Sequence, residues 1–214
     1  MLQFLLNPAL IVVMTLNFVA LGMSRIRGVI SVVALQGFLL GFFPLCFQPE
    51  IRVRGIGLVA ATIALKGFVI PRFLIRAMRE ANIQHEIKPA VNFMSSLLLG
   101  AIGTGLAMVF SNTLPLAPEH AQLLVVPAAL ATVWTGFLML TTREKAIMLV
   151  LGYLLLENGI FLFGLLLLEA MPFLVEAGVL LDLFTGVFIM GIIIHQINRE
   201  FASTSTEHLS ELKE

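Results

Sequence analysis

Apolar runs of about the length needed to cross the ~30 Å hydrocarbon core of a bilayer recur along this chain, at 4–23, 29–47, 55–75, 91–110, 121–140, 146–168 and 173–195. In hydrocarbon the backbone must satisfy its own hydrogen bonds, which helices do locally. The expected fold is therefore an all-α integral membrane protein with about seven transmembrane helices. Composition agrees: 59% of the 214 residues are hydrophobic and 12% charged, against about a quarter charged in ordinary globular domains, and the mean hydropathy is +1.01. The first run opens MLQFLLNPALIVVM without a basic leader, so it reads as a retained helix and not as a cleaved signal peptide.

Basic residues set the expected orientation. With the N-terminus outside, Arg25, Arg27, Arg72, Arg76, Arg79, Lys88, Arg143, Lys145, Arg199 and Lys213 fall on the cytoplasmic side and only Arg52 and Arg54 outside. That asymmetry favours an N-out, C-in arrangement with an odd number of spans. The formal net charge is zero, which suggests neither a nucleic acid nor an acidic partner; the lipid bilayer is the expected surroundings. The single cysteine, Cys46, cannot form an intramolecular disulfide and has no CxxC or histidine companion for a metal or redox role. Pro44, Pro71 and Pro127 are expected to bend or end their helices. Gly100 with Thr104 and Gly103 with Ala107 are small pairs at four-residue spacing, which permits close helix approach. The connection RAMREANIQHEIK (76–88) and the polar residues after Asn198 are expected at the cytoplasmic surface.

Against this apolar background, five embedded polar residues stand out: Gln36, Lys66, Glu157, Glu176 and Asp182. A charge at the bilayer centre costs at least ~2.5–3.5 kcal/mol on insertion scales, so such residues face a protein interior or a hydrated path and mark function by default. Glu157 has about ten apolar residues on each side and cannot easily snorkel out. Desolvation there favours the neutral acid, which suits a carboxyl that takes up and releases protons. The plainer alternative is interhelical hydrogen bonding together with Asn158. Glu176 follows Pro172 closely, and a carboxylate in a first helical turn is also favoured by the helix dipole. Asp182, six residues on, points to another side of the helix. A buried Lys66 needs a carboxylate, with Glu157, Glu176 or a partner protein's residue as candidates, and a salt bridge that merely fixes packing is an equal alternative. His195 stands at the expected cytoplasmic membrane edge, where a histidine can relay protons or simply be solvated.

Motifs of soluble enzymes are absent: there is no nucleophile elbow, phosphate loop, HExxH, iron–sulfur cysteine set or haem histidine pair. No catalysis by this chain alone is expected. The segment REKAIMLVLGYLLLENGIFLFGLLL, followed by PFLVEAGVLLDLFTGVFIMGIII, resembles the small K-type membrane subunit of respiratory complex I. In its longer form the pattern is that of the hydrogenase-4 component E family of group 4 membrane-bound hydrogenases. Two consecutive K-type helices each carry a membrane glutamate, the first with an asparagine close by, and Glu157 and Glu176 match them. Similarity to the component E family extends over most of the chain, including the IALKGFVIP run around Lys66. Gly159 and Phe161 vary the shorter family's pattern, and Asp182 is an acid for which that pattern has no role.

The resemblance implies a non-redox membrane subunit of a nickel–iron hydrogenase-type complex. Glu157, Glu176, Lys66, Asp182, Gln36 and His195 would belong to a proton or sodium translocation path coupled to electron transfer. The implied partners are antiporter-like membrane subunits, a membrane subunit like the H subunit of complex I, and the hydrogenase large and small subunits. Those partners, not this chain, would carry the nickel–iron centre and iron–sulfur clusters, and the location would be a prokaryotic cytoplasmic (inner) membrane. Within the chain, 1–120 would form an N-terminal four-helix region, 121–197 the K-like three-helix module and 198–214 a short cytoplasmic tail. Spans one to three and five to seven share an orientation and begin with basic first loops, which suggests a degenerate parallel repeat with Gln36 and Lys66 in place of the two glutamates. A stand-alone secondary transporter and a structural membrane scaffold are the alternatives from other classes.

Overall fold

The computed structural model describes residues 2–44, 57, 59–60, 62–80, 91–114, 124–166 and 191. Among these residues the regular elements are all helical: α1 (Leu2–Gly22), α2 (Ile26–Phe42), a π-helical segment (Ile63–Val69), α3 (Ile70–Glu80), α4 (Phe93–Ser111), α5 (Val125–Thr142) and α6 (Ala146–Leu166). Among the described residues four helices have stretches long and apolar enough to cross a membrane: Leu5–Gly22, Phe93–Ser111, Val125–Thr142 and Ala146–Leu166; Ile26–Phe42 is apolar but shorter. All of the span expected at 173–195 except residue 191 lies outside the described residues, as do Cys46 and the tail.

Two hairpins form the centre. The links α1–α2 and α5–α6 are equally short, residues 23–25 and 143–145, with Arg25 and Arg143 both in extended backbone (φ −109°, ψ 123° and φ −114°, ψ 131°). The hairpins lie side by side and parallel. At one end the Leu124 N–H donates to Asn7 Oδ1 at 3.0 Å, and at the other Arg143 Nη2 donates to the Leu21 carbonyl at 2.8 Å. The first two members of each suggested repeat triplet are thus parallel neighbours, whereas the third member of the second triplet falls outside the described residues.

Glycine makes the second hairpin tight. A Cβ placed on Gly136 would stand 2.5 Å from the Leu156 backbone nitrogen, and one on Gly159 would stand 2.6 Å from that of Val133. Here α5 and α6 touch backbone to backbone, as small residues allow between membrane helices. The small face expected on α4 is used in two directions: Gly100 meets Leu21 of α1 and Gly103 meets the Trp134 indole of α5. Pro127 falls in the first turn of α5 because that helix starts at Val125. A missing N–H costs nothing there, so the bend expected at Pro127 has no cause.

The buried apolar side chains divide into two clusters. One gathers Leu21, Ile26, Ile30, Leu74, Met78, Met148 and Leu151 at the end that carries Arg25 and Arg143; we call this the basic end. The other gathers Leu6, Leu10, Leu40, Val125, Ala129 and Leu162 at the opposite end. Between them lies a layer of buried polar groups.

Gly159→Leu should force the hairpin apart and destabilise the protein by about 1–3 kcal/mol or more, the usual cost of overpacking. Gly105→Leu should be tolerated, because nothing lies within 4 Å of a Cβ there. Thermal unfolding of the two variants in detergent checks the contrast.

Candidate functional site

The polar layer is assembled from five elements. Asn17 comes from α1, Gln36 from α2, Lys66 from the π segment, Thr132 from α5, and Glu157 with Asn158 from α6; each is at most 8% exposed. Gln36 and Thr132 each lie ten residues from the basic end of their helix, about 15 Å at 1.5 Å per residue, which is half the thickness of a hydrocarbon core.

Lys66 and Glu157 form an ion pair at 3.2 Å. Lys66 Nζ also donates to Asn158 Oδ1 at 3.3 Å and stands 5.2 Å from the centroid of the Phe161 ring, within the range of a cation–π interaction. The counter-ion that the sequence left open among three candidates is therefore Glu157 for the described residues. Lys66 reaches it because two local features bring its backbone close. Gly37 has no side chain, and a Cβ there would stand 2.8 Å from Lys66 Cβ. The helix around Lys66 is also widened to a π turn: the Ile70 N–H donates to the Leu65 carbonyl, five residues back. Pro71 follows directly and offers no N–H to the carbonyl four or five residues earlier. The bend expected at Pro71 is thus taken up by a π turn, a feature often found at functional sites.

From Lys66 a line of hydrogen bonds crosses the bundle. A lysine ammonium can only donate, so Asn158 presents its oxygen to it and its amide hydrogens onward. Asn158 Nδ2 donates to Gln36 Oε1 at 3.3 Å, Gln36 Nε2 to Asn17 Oδ1 at 2.9 Å and to the Val13 carbonyl at 3.4 Å, and Asn17 Nδ2 to Thr132 Oγ1 at 2.9 Å. Thr132 ends the line by donating to the Ala128 carbonyl of its own helix at 2.7 Å. Every dipole in the line turns its oxygen toward Lys66, which stabilises positive charge there.

Of the residues singled out from the sequence, Gln36, Lys66 and Glu157 meet in this layer; Glu176, Asp182 and His195 lie outside the described residues. Asn17 and Thr132 complete the layer without having been singled out. A neutral amide inside an apolar run was the available signal for Asn17; Thr132 gave none. Gly159 and Phe161, the two departures from the shorter family's pattern, have concrete tasks: one lets α5 approach and the other lies under the Lys66 ammonium. Arg143, expected on the cytoplasmic side, is 3% exposed and also stacks on Phe93 at 5.0 Å. Burial pushes its guanidinium down from the ordinary arginine value. Among the described residues no three His, Cys, Asp or Glu side chains are grouped to hold a metal.

Removing one member of a buried pair leaves the other charge uncompensated, at a cost of about 3–5 kcal/mol, whereas neutralising both is far cheaper. Lys66→Met should therefore lower thermal stability sharply in detergent, and Lys66→Met with Glu157→Gln should recover most of it. Gln36→Leu strands Asn158 and Asn17 groups and should cost about 1–3 kcal/mol per unpaired group, measured in the same way.

No family model and no solved structure matches this chain. It is 33% identical over 193 residues, 88% of this chain and 87% of the relative, to the uncharacterized protein Rv0085 of Mycobacterium tuberculosis. With that identity running through nearly the whole of both chains, the protein belongs to the same family as Rv0085.

Proposed function

We propose that this protein is a non-redox membrane subunit of a group 4 nickel–iron hydrogenase-type complex, in which the Lys66–Glu157 pair is one station of a proton or sodium translocation path. The observation that carries this reading is the pair itself: two ionisable groups 3.2 Å apart, enclosed between two apolar clusters at half the depth of a membrane. A protein held together by helix packing alone gains little from such a pair, because desolvation offsets most of the Coulomb attraction. A protein that moves ions needs groups whose charge can change inside the membrane, and this is where they are normally found. The resemblance of the Glu157 segment to the K-type subunit of complex I points to the same role.

In this reading the basic end faces the cytoplasm, the helices cross a prokaryotic inner membrane about seven times, and Glu176, Asp182 and His195 continue the path. Electron transfer takes place in partner subunits that hold the nickel–iron centre and the iron–sulfur clusters. Antiporter-like subunits, an H-like membrane subunit and the hydrogenase large and small subunits are the neighbours. Coupling acts by population shift: protonation of Glu157 removes the partner of Lys66 and changes which packing of the π segment against α6 is favoured.

Glu157→Gln should sharply reduce ion pumping by the complex in membrane vesicles while its subunits still co-purify in fixed ratio. Loss of the assembled complex would instead make the pair a structural brace. Mild-detergent purification from native membranes should bring along hydrogenase and antiporter-like subunits, and a homo-oligomer without partners would overturn the assignment.

A further inference from the structure

The two sides of the polar layer are not equivalent. Toward the basic end, a small cavity of ≈ 10 Å³ adjoins Lys66 and Asn158, walled by Ile30, Val33, Ala34 and Gly37 of α2, Ile70, Pro71 and Leu74 of α3, and Leu151 and Leu154 of α6. That is about the space required by the centre of one water molecule. Every wall residue lies level with the layer or between it and the basic end. Ile30, Val33 and Ala34 precede Gln36 on a helix that starts at the basic end, Leu151 and Leu154 precede Glu157 on another, and Leu74 follows Lys66 on a chain running down toward Arg76 and Arg79.

Among the described residues the opposite side is packed. Asn158, Gln36, Asn17 and Thr132 hold one another side chain to side chain. Beyond them Leu10, Val13, Leu40, Ala128 and Ala129 are at most 1% exposed. Amide groups donate and accept hydrogen bonds but do not pass protons on as hydroxyls and waters do, so the amide line holds the layer shut without conducting.

We propose that the cavity between α2, α3 and α6 is a water site giving the Lys66–Glu157 pair access from the basic end only, with the Asn158–Gln36–Asn17 amide line as the seal on the other side. Ala34, half-buried with a small side chain, is the position at which the site can be filled. Leu154, 5% exposed, is the position at which it can be widened. A water there has two polar side chains to bind, Lys66 and Asn158, which meets the two to four partners a buried water requires. Gln36 is then a positioning residue and not a carrier of the proton.

This inference rests on the pair exchanging protons, as the proposed function has it. The test is the rate of deuterium exchange at the Lys66–Glu157 pair, read by infrared spectroscopy on the full-length protein in nanodiscs, with Glu157→Gln as the assignment control. Ala34→Leu should slow exchange several-fold and Leu154→Ala should speed it. Leu40→Ala, a comparable truncation on the sealed side, should leave the rate unchanged although it lowers stability. Acceleration by Leu40→Ala equal to that by Leu154→Ala, or an Ala34→Leu rate equal to wild type, would overturn one-sided access. The proposed function is read separately: wild-type ion pumping by a Lys66→Met complex would remove the translocation role and leave the exchange result standing.

Discussion

A lysine and a glutamate buried together in the middle of an apolar bundle are stable only as a pair, and most of the fold can be understood as what brings them together. Either alone would carry a desolvation penalty of several kcal/mol. Together they still need further hydrogen bonds, and the protein supplies these from one direction by donating through Asn158, Gln36 and Asn17 to Thr132. The line runs across α6, α2, α1 and α5, so the polar layer is also the register mark for four helices. Sliding any of them by one turn, ~5.4 Å, would strand at least one buried amide or the pair itself.

Close backbone approach meets this requirement. Gly37 lets the Lys66 segment reach α2, and Gly136 and Gly159 let α5 and α6 lie against each other so that Glu157, Asn158 and Thr132 share one level. The π turn before Pro71 belongs to the same set. Proline would break an ordinary α-helix there, and the wider turn takes up the lost hydrogen bond while keeping Lys66 aimed at α6. The polar layer then separates two apolar cores, one of which contains a water-sized cavity beside the ammonium.

Much of the architecture was legible in the sequence, because apolar runs of membrane length and charges inside them are strong signals. Glu157, Lys66 and Gln36 could be singled out one by one. Glu157 could be offered as one of three counter-ions for Lys66 but not chosen among them, and the meeting with Gln36 and Asn158 could not be read, since Lys66 and Asn158 are 92 residues apart and helix-to-helix pairing is a tertiary fact. Asn17 and Thr132 escaped notice because short neutral side chains can bond to their own helix and need no partner elsewhere. The glycines of α5 and α6 were equally silent: a glycine in an apolar run permits close approach but does not name the helix that comes close. The burial of Arg143 was silent for a related reason, as an arginine near a helix end can be solvated or can reach back over a neighbouring helix terminus, and only packing decides.

The site depends on Lys66 being a charged ammonium held by the Glu157 carboxylate. The most direct measurement is solid-state NMR of the protein in lipid with 15N-labelled lysine and 13C-labelled glutamate side chains, the Lys66 signal being assigned by its absence in Lys66→Met. A charged ammonium resonance with strong dipolar coupling to one carboxylate carbon, lost in Glu157→Gln, is the predicted result. A neutral amine without carboxylate coupling would contradict the ion pair and, with it, the site built around it.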